Sequence, residues 1–248
     1  MKLLIINPNT SDNMTNTAKV SAMGAKDEDT KITVISAPYG PVTLEGYFDE
    51  MLSTIAVLEV IQKEKANYDA FIIACFSNHP AIYAARQLTP KPVLGIMLAP
   101  LTLACFLGAK FSIVSTSDRW GPLLKSAVHD IGMNDRCASV RMTGMDVEEL
   151  DKKSNEELEE IIAATARRAI KEDGAEVIVL GCCGMAGMDT RLSKELGVPV
   201  IDPVSAAVKI AEILIKLNLN TSQILSYAPV LPREQIGVPE IFADLYSN

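Results

Sequence analysis

The chain repeats itself. Asn7, at the end of an apolar run, lies 68 residues before Cys75, and Ser115, at the end of another, lies 67 before Cys182. Cys75 then precedes Pro92-Val93-Leu94-Gly95 by 17 residues, and Cys182 precedes Pro199-Val200-Ile201-Asp202 by 17. Each cysteine follows a strand-like run, Ala70-Phe71-Ile72-Ile73-Ala74 or Val177-Ile178-Val179-Leu180-Gly181, and leads through small or polar residues into a helical stretch. A period of this length marks a duplicated supersecondary unit. The chain therefore reads as two similar lobes, each presenting one cysteine at the same place.

Each unit is α/β. Strands are expected at 3–6, 32–35, 70–74 and 93–97, and again at 111–114, 139–142, 177–180 and 198–201. Helical periodicity is clearest over 154–171, opened by the capping box Ser154-Asn155-Glu156-Glu157 and stopped by Gly174. Strands alternating with helices predict mainly parallel sheets flanked by helices. The expected division is residues 1–95 plus 204–248 for lobe one and 96–203 for lobe two, with the active site in the cleft between them.

Charge and cysteine usage exclude several functions. The 248 residues carry a net charge of −8 with no Lys/Arg cluster, so a nucleic-acid partner is not expected. Two histidines, His79 and His129, and five cysteines without a CxxC pair make a metal site a poor reading. An odd number of cysteines in a chain this large fits free thiols in a reducing cytoplasm. The apolar start is too short for a signal peptide. Residues 92–109 are uncharged over 18 positions but are broken by Pro92, Gly95, Pro100 and Gly108. They read as a buried strand and a helix from about Pro100, not as a membrane span.

In open parallel sheets, ligands bind beyond the carboxyl ends of the strands. A thiol there is expected to meet unpaired N–H groups and the positive end of a helix dipole, which would lower it from about 8.5. Two such thiols facing across a cleft suit racemisation without a cofactor. One removes a proton from a stereocentre and the other returns one to the opposite face. Donors must stabilise the carbanion, and Asn7, Thr10, Ser11, Ser115 and Thr116 stand at strand ends where they could supply them. His79, four residues after Cys75, could tune that thiol or contact substrate. The same residues also have plainer readings, with cysteines as core, Asn7–Ser11 as a helix-capping turn, and His79 as a partly buried loop residue that serves no chemistry. Cys105 and Cys137 are unmatched across the lobes and read as core.

Ile6-Asn7-Pro8-Asn9-Thr10-Ser11, Cys75-Phe76 and Gly181-Cys182-Cys183-Gly184-Met185-Ala186-Gly187 together resemble the hydantoin racemase group of the aspartate/glutamate racemase superfamily, in order and spacing over nearly the whole chain. The resemblance implies two pseudo-symmetric Rossmann-like lobes and no PLP, metal or nucleotide cofactor. It also implies racemisation of 5-substituted hydantoins or allantoin. Carried over by position, Cys75 and Cys182 would be the acid/base pair. Asn7, Thr10, Ser11, Phe76, Ser77, Asn78, His79, Ser115, Thr116, Cys183 and Gly184 would surround a small ring substrate. The group is usually oligomeric. The chain departs from the group's pattern at Ser77-Asn78-His79-Pro80, where an acidic residue and Pro-Gly or Thr-Gly are common. It departs again at Met97-Leu98-Ala99-Pro100, where Gly-Glu-Ala is common, and at Pro203. Amino-acid racemases and maleate-type cis–trans isomerases of the same superfamily also use two cysteines. A ligand-binding protein on this fold is the alternative of another class.

Overall fold

The computed structural model describes residues 1–150 and 152–246. Among the described residues, eight strands form two four-stranded parallel sheets: β1 (Lys2–Asn7), β2 (Lys31–Ser36), β3 (Ala70–Ile73) and β4 (Val93–Gly95), then β5 (Phe111–Ser115), β6 (Cys137–Met142), β7 (Val177–Leu180) and β8 (Val200–Ile201). The helices are α1 (Asp12–Ala25), α2 (Tyr47–Glu64), α3 (Pro80–Leu88), α4 (Leu98–Leu107), α5 (Gly121–Asp130), α6 (Val147–Leu150), α7 (Asn155–Asp173), α8 (Asp189–Leu196) and α9 (Pro203–Lys216). The sheet orders, β2-β1-β3-β4 and β6-β5-β7-β8, are the same order twice.

The repetition extends to single hydrogen bonds. Beyond the last paired residues, Ala74 N donates to Ile6 O and Gly181 N to Val114 O, both at 2.8 Å. Ala37 N donates to Asn7 O at 2.7 Å and Thr143 N to Ser115 O at 2.8 Å. Each lobe thus ends its central strands in the same register, and the next residues out are Cys75 and Cys182.

Strands β1, β3, β5 and β7 are buried on both faces, which is why they read as continuous apolar runs. Successive side chains point to opposite faces. Leu4, Ile6, Phe71 and Ile73 pack outward against Val57 and Ile61 of α2 and Ala81 and Ala85 of α3. Val114, Ile178 and Leu180 pack outward against Ile162 and Ala166 of α7. The alternate residues, Leu3, Ile5 and Ile72 with Ile113, Val177 and Val179, share one central core with Leu101 of α4 and Val204 and Val208 of α9. That shared core seats the two sheets against each other.

Differences from the sequence reading are local. The fourth strand stops at Gly95 rather than 97, and α4 starts at Leu98 ahead of Pro100, because proline is tolerated in a first helical turn. Ser154 and Glu157 make the expected capping box, and Gly174 closes α7 with φ 73°. Among the described residues, no helix is long and apolar enough to cross a membrane. After α9 the chain returns over the first sheet's helices. Thr221 N donates to Pro90 O, Arg86 Nη1 to Tyr227 Oη and Gln87 Nε2 to Ala228 O.

Candidate active site

The loops after β3 and β7 bring Cys75 and Cys182 to one cleft. Cys75, Phe76 and Ala74 line one side; Gly181, Cys182 and Cys183 line the other. Each sulfur meets a donor at the same spacing in sequence. Ser77 Oγ donates to Cys75 Sγ at 3.4 Å, and Gly184 N donates to Cys182 Sγ at 3.4 Å. In each lobe the donor is two residues beyond the thiol.

Each cysteine loop is also braced from the opposite lobe. Trp120, in the 3-10 turn Asp118–Trp120 that follows β5, donates its indole N–H to Phe76 O at 3.4 Å. Met14 of α1 packs beside Cys182, and its carbonyl accepts from Cys183 Sγ at 3.8 Å. Both Met14 and Trp120 line the cleft.

The polar strand-end residues divide into those that face the cleft and those that shape it. Thr116 lines it; Asn7 does not. Asn7 instead organises the turn beneath: its Nδ2 donates to Asn9 Oδ1 at 2.6 Å, Thr15 Oγ1 at 3.0 Å and Ser11 O at 3.3 Å. The amide that reaches the cleft is Asn9. Its Oδ1 accepts from Ser11 N at 3.0 Å, which leaves Nδ2, now against Met14 Sδ, as the outward donor. Ser11 caps α1, accepting from Met14 N, and Thr10 Oγ1 donates to Pro41 O. Ser115 Oγ donates to Gly181 O at 2.6 Å, fixing the strand end that carries Cys182. Gly184 serves through its backbone, and a Cβ there would stand 2.7 Å from Leu150 Cδ1. Asn78 Oδ1 accepts from Tyr83 Oη and faces a second, neighbouring cavity.

His79 is fully buried and caps α3. Its Nδ1 accepts from Ala81 N at 3.2 Å, so Nε2 carries the proton and donates to Ser53 Oγ at 3.0 Å. Ser53 Oγ in turn donates to Glu50 O at 2.9 Å. The ring is a brace between α3 and α2, and burial holds it neutral, lowering it to about 4. The unfolded chain takes up a proton near pH 6.5 that the folded chain refuses until about 4. Stability therefore falls as pH drops through that window, by up to about 3 kcal/mol. Urea midpoints at pH 7 and 4.5 are expected to fall further for the wild type than for His79→Asn. Equal losses would show that His79 contributes nothing to acid sensitivity.

The Cys75 thiol departs from the sequence expectation. Burial pushes it well above its ordinary value, the Glu50 carboxyl pushes it further, and only the Ser77 contact opposes them among its larger influences. The helix that was to lower it begins at Pro80, and its Ala81 N–H is already taken by His79. Burial likewise raises Cys183. Cys105, on α4, and Cys137, on β6, do not line the cleft.

Residues that the spacing argument did not reach complete the lining: Pro8, Asn9, Met14, Leu44, Glu45 and Trp120. Trp120 carried a usable signal, being the one tryptophan in the chain and four residues beyond Thr116. Leu44 and Glu45 lie in the aperiodic stretch before α2, where no pattern marks them. Burial raises Glu45 above the usual carboxylate value. Among the described residues no cluster of three or more His, Cys, Asp or Glu is placed to hold a metal ion.

The family described as Asp/Glu/Hydantoin racemase matches residues 3–211. A hydantoin racemase from Pseudomonas sp. (strain NS671) is 41% identical over 243 residues, covering 98% of this chain and 97% of that protein. The solved allantoin racemase from Klebsiella pneumoniae superposes with a TM-score of 0.90 at 36% identity, covering 99% of this chain and 98% of that one. The allantoin racemase from Pseudomonas fluorescens superposes at 0.91 with 39% identity, covering 96% and 100%.

Proposed function

Since the chain belongs to the Asp/Glu/hydantoin racemase family, we propose that it is a cofactor-independent racemase of 5-substituted hydantoins or allantoin, working with Cys75 and Cys182. The observation that carries this reading is the pair of thiols at equivalent strand ends on one cleft. One thiolate takes the C5 proton, the carbanion delocalises into the ring carbonyl, and the opposite thiol returns a proton to the other face. The reverse reaction exchanges the roles. Asn9 Nδ2 and Thr116 are the candidate donors to the developing enolate.

The lining favours a neutral ring over an amino acid. Met14, Leu44, Ala74, Phe76 and Trp120 offer apolar surface, and none of the lining side chains is Lys or Arg. A substrate with one or two carboxylates would meet no Lys or Arg side chain on the lining, and Glu45 would repel it. A ureide presents N–H groups that Glu45 can accept and carbonyls that Asn9 can serve.

A cytoplasmic homo-oligomer, each chain divided into lobes at 95/96 and 203/204, belongs to the same proposal. Tyr47, Phe48, Met51, Leu52 and Ile55 form an exposed apolar stripe on α2, of the kind that marks protein contacts. The test of function is the decay of optical rotation for single enantiomers of allantoin and 5-substituted hydantoins in deuterated water. Enzyme-dependent decay to zero, with deuterium at the stereocentre, is expected. No decay on any ring, with turnover of aspartate, glutamate or maleate instead, would overturn the ureide assignment.

A further inference from the structure

In the proposed reaction the Cys75 thiol loses a proton in a place where burial opposes a thiolate, and the loop after it sets a hydroxyl beside the sulfur. Ser77 stands between Cys75 and Glu50. Its hydroxyl donates to Cys75 Sγ at 3.4 Å, and its side chain lines one small cavity together with the Glu50 carboxyl, which it holds down against burial. Glu50 lies on the first turn of α2, is 6% exposed, and has a buried Oε1 with no hydrogen-bond partner. A buried, half-satisfied carboxyl costs stability, most of all when it is ionised.

We propose that Ser77 and Glu50 form a proton relay that ionises Cys75. In one state the Cys75 S–H donates to Ser77 Oγ and the Ser77 hydroxyl donates to the Glu50 carboxylate. In the other, the Cys75 proton has passed to Ser77 Oγ, the original Ser77 proton has passed to Glu50, and the Ser77 hydroxyl donates back to the thiolate. Two O–H bonds form as one S–H and one O–H break. The site carries one negative charge in both states, so the thiolate appears without adding a charge to a poorly solvated region.

The surroundings fit a shared single charge. Burial raises both Cys75 and Glu50, and the Glu50 charge raises Cys75 further, so both are not ionised together. The His79 ring that braces this turn of α2 through Ser53 is held neutral by burial. Beyond Glu50, Tyr47 and, from α5, Asp130 flank a small cavity, and across the cleft Cys182 faces Cys75. No cation stands on the relay among these groups to neutralise a second anion. At Cys182 the corresponding donor is the Gly184 backbone N–H, which can hold a thiolate but cannot accept a proton.

The relay rests on the two-thiol reading, and the test separates the two. In Cys182→Ser, Cys75 alone can exchange the C5 hydrogen of one enantiomer of allantoin with deuterated water. In Cys75→Ser, Cys182 alone can exchange that of the other. Adding Glu50→Gln, which keeps the shape but takes no proton, is expected to slow the Cys75-carried exchange about 100-fold and leave the Cys182-carried exchange within threefold. Ser77→Ala should act as Glu50→Gln does, and Ser77→Thr should restore the rate. Equal losses on both exchanges would mean a merely structural role, and no loss on the Cys75 side would also overturn the relay. If each single-cysteine variant exchanged both enantiomers alike, the two-thiol reading itself would fall.

Discussion

Replacing either Cys75 or Cys182 by serine is expected to lower racemisation by about 100- to 10,000-fold, the usual worth of a positioned general acid or base. A serine hydroxyl is too weak an acid to exist as the alkoxide that proton abstraction needs. In the proposed mechanism both thiols act in every turnover, one as base and one as acid, so both enantiomers should lose rate in either variant. The loss should fall on kcat, with KM changing little, because the sulfurs act on the reacting carbon more than on ring binding. The double variant should be hardly slower than each single one, since residues acting as a unit are non-additive. Cys105→Ser, on α4 and outside the cleft lining, is the control for thiol replacement as such. Polarimetry on purified single enantiomers checks all four, and a Cys75 or Cys182 variant within tenfold of wild type would remove that thiol from the mechanism.

Gly181→Ala is expected to cost about 1–3 kcal/mol of stability and about 100-fold in kcat/KM. A Cβ at Gly181 would lie 2.7 Å from Ser115 Cβ and 2.8 Å from Ile113 Cγ2. Neither atom is the far end of a flexible side chain, so the backbone must move. The neighbouring residue is Cys182, and in the proposed mechanism an ångström of displacement there would separate its sulfur from the reacting carbon. Ser115→Gly removes one of the two clashes, together with the hydroxyl bonded to Gly181 O. The pair should therefore couple measurably rather than add. Urea unfolding and steady-state rates test this; a Gly181→Ala protein of wild-type stability and rate would show that the close approach to β5 is not required.

The equivalence of Cys75 and Cys182 was legible because it rests on two patterns that survive without coordinates. Apolar runs buried on both faces mark strands, and a constant spacing marks the same strand in each lobe. The walls of the cleft were not legible in this way. Asn7 and Asn9 are both plausible donors after β1, and only the turn geometry decides that Asn7 folds inward on Ser11 and Thr15 while Asn9 faces the cleft. The hydroxyls of Thr10, Ser11 and Ser115 are spent on main-chain carbonyls or on a helix cap, a competition that residue type cannot reveal. Met14 and Trp120 reach across from the opposite lobe, a contact that no local window contains. The rise of Cys75 above its usual value follows from burial and from Glu50, which lies 25 residues upstream on another element.

The two sulfurs are held by unlike donors, a hydroxyl at Cys75 and a main-chain N–H at Cys182, and in a racemase this inequality has a thermodynamic limit. Mirror-image substrates have the same free energy in water, so the equilibrium constant is one and kcat/KM is identical in the two directions. Whatever separates the lobes must then cancel: if one enantiomer turns over faster at saturation, it must also saturate at a proportionally higher concentration. Unlike cradles can set how full the site is with each hand, but never where the mixture comes to rest.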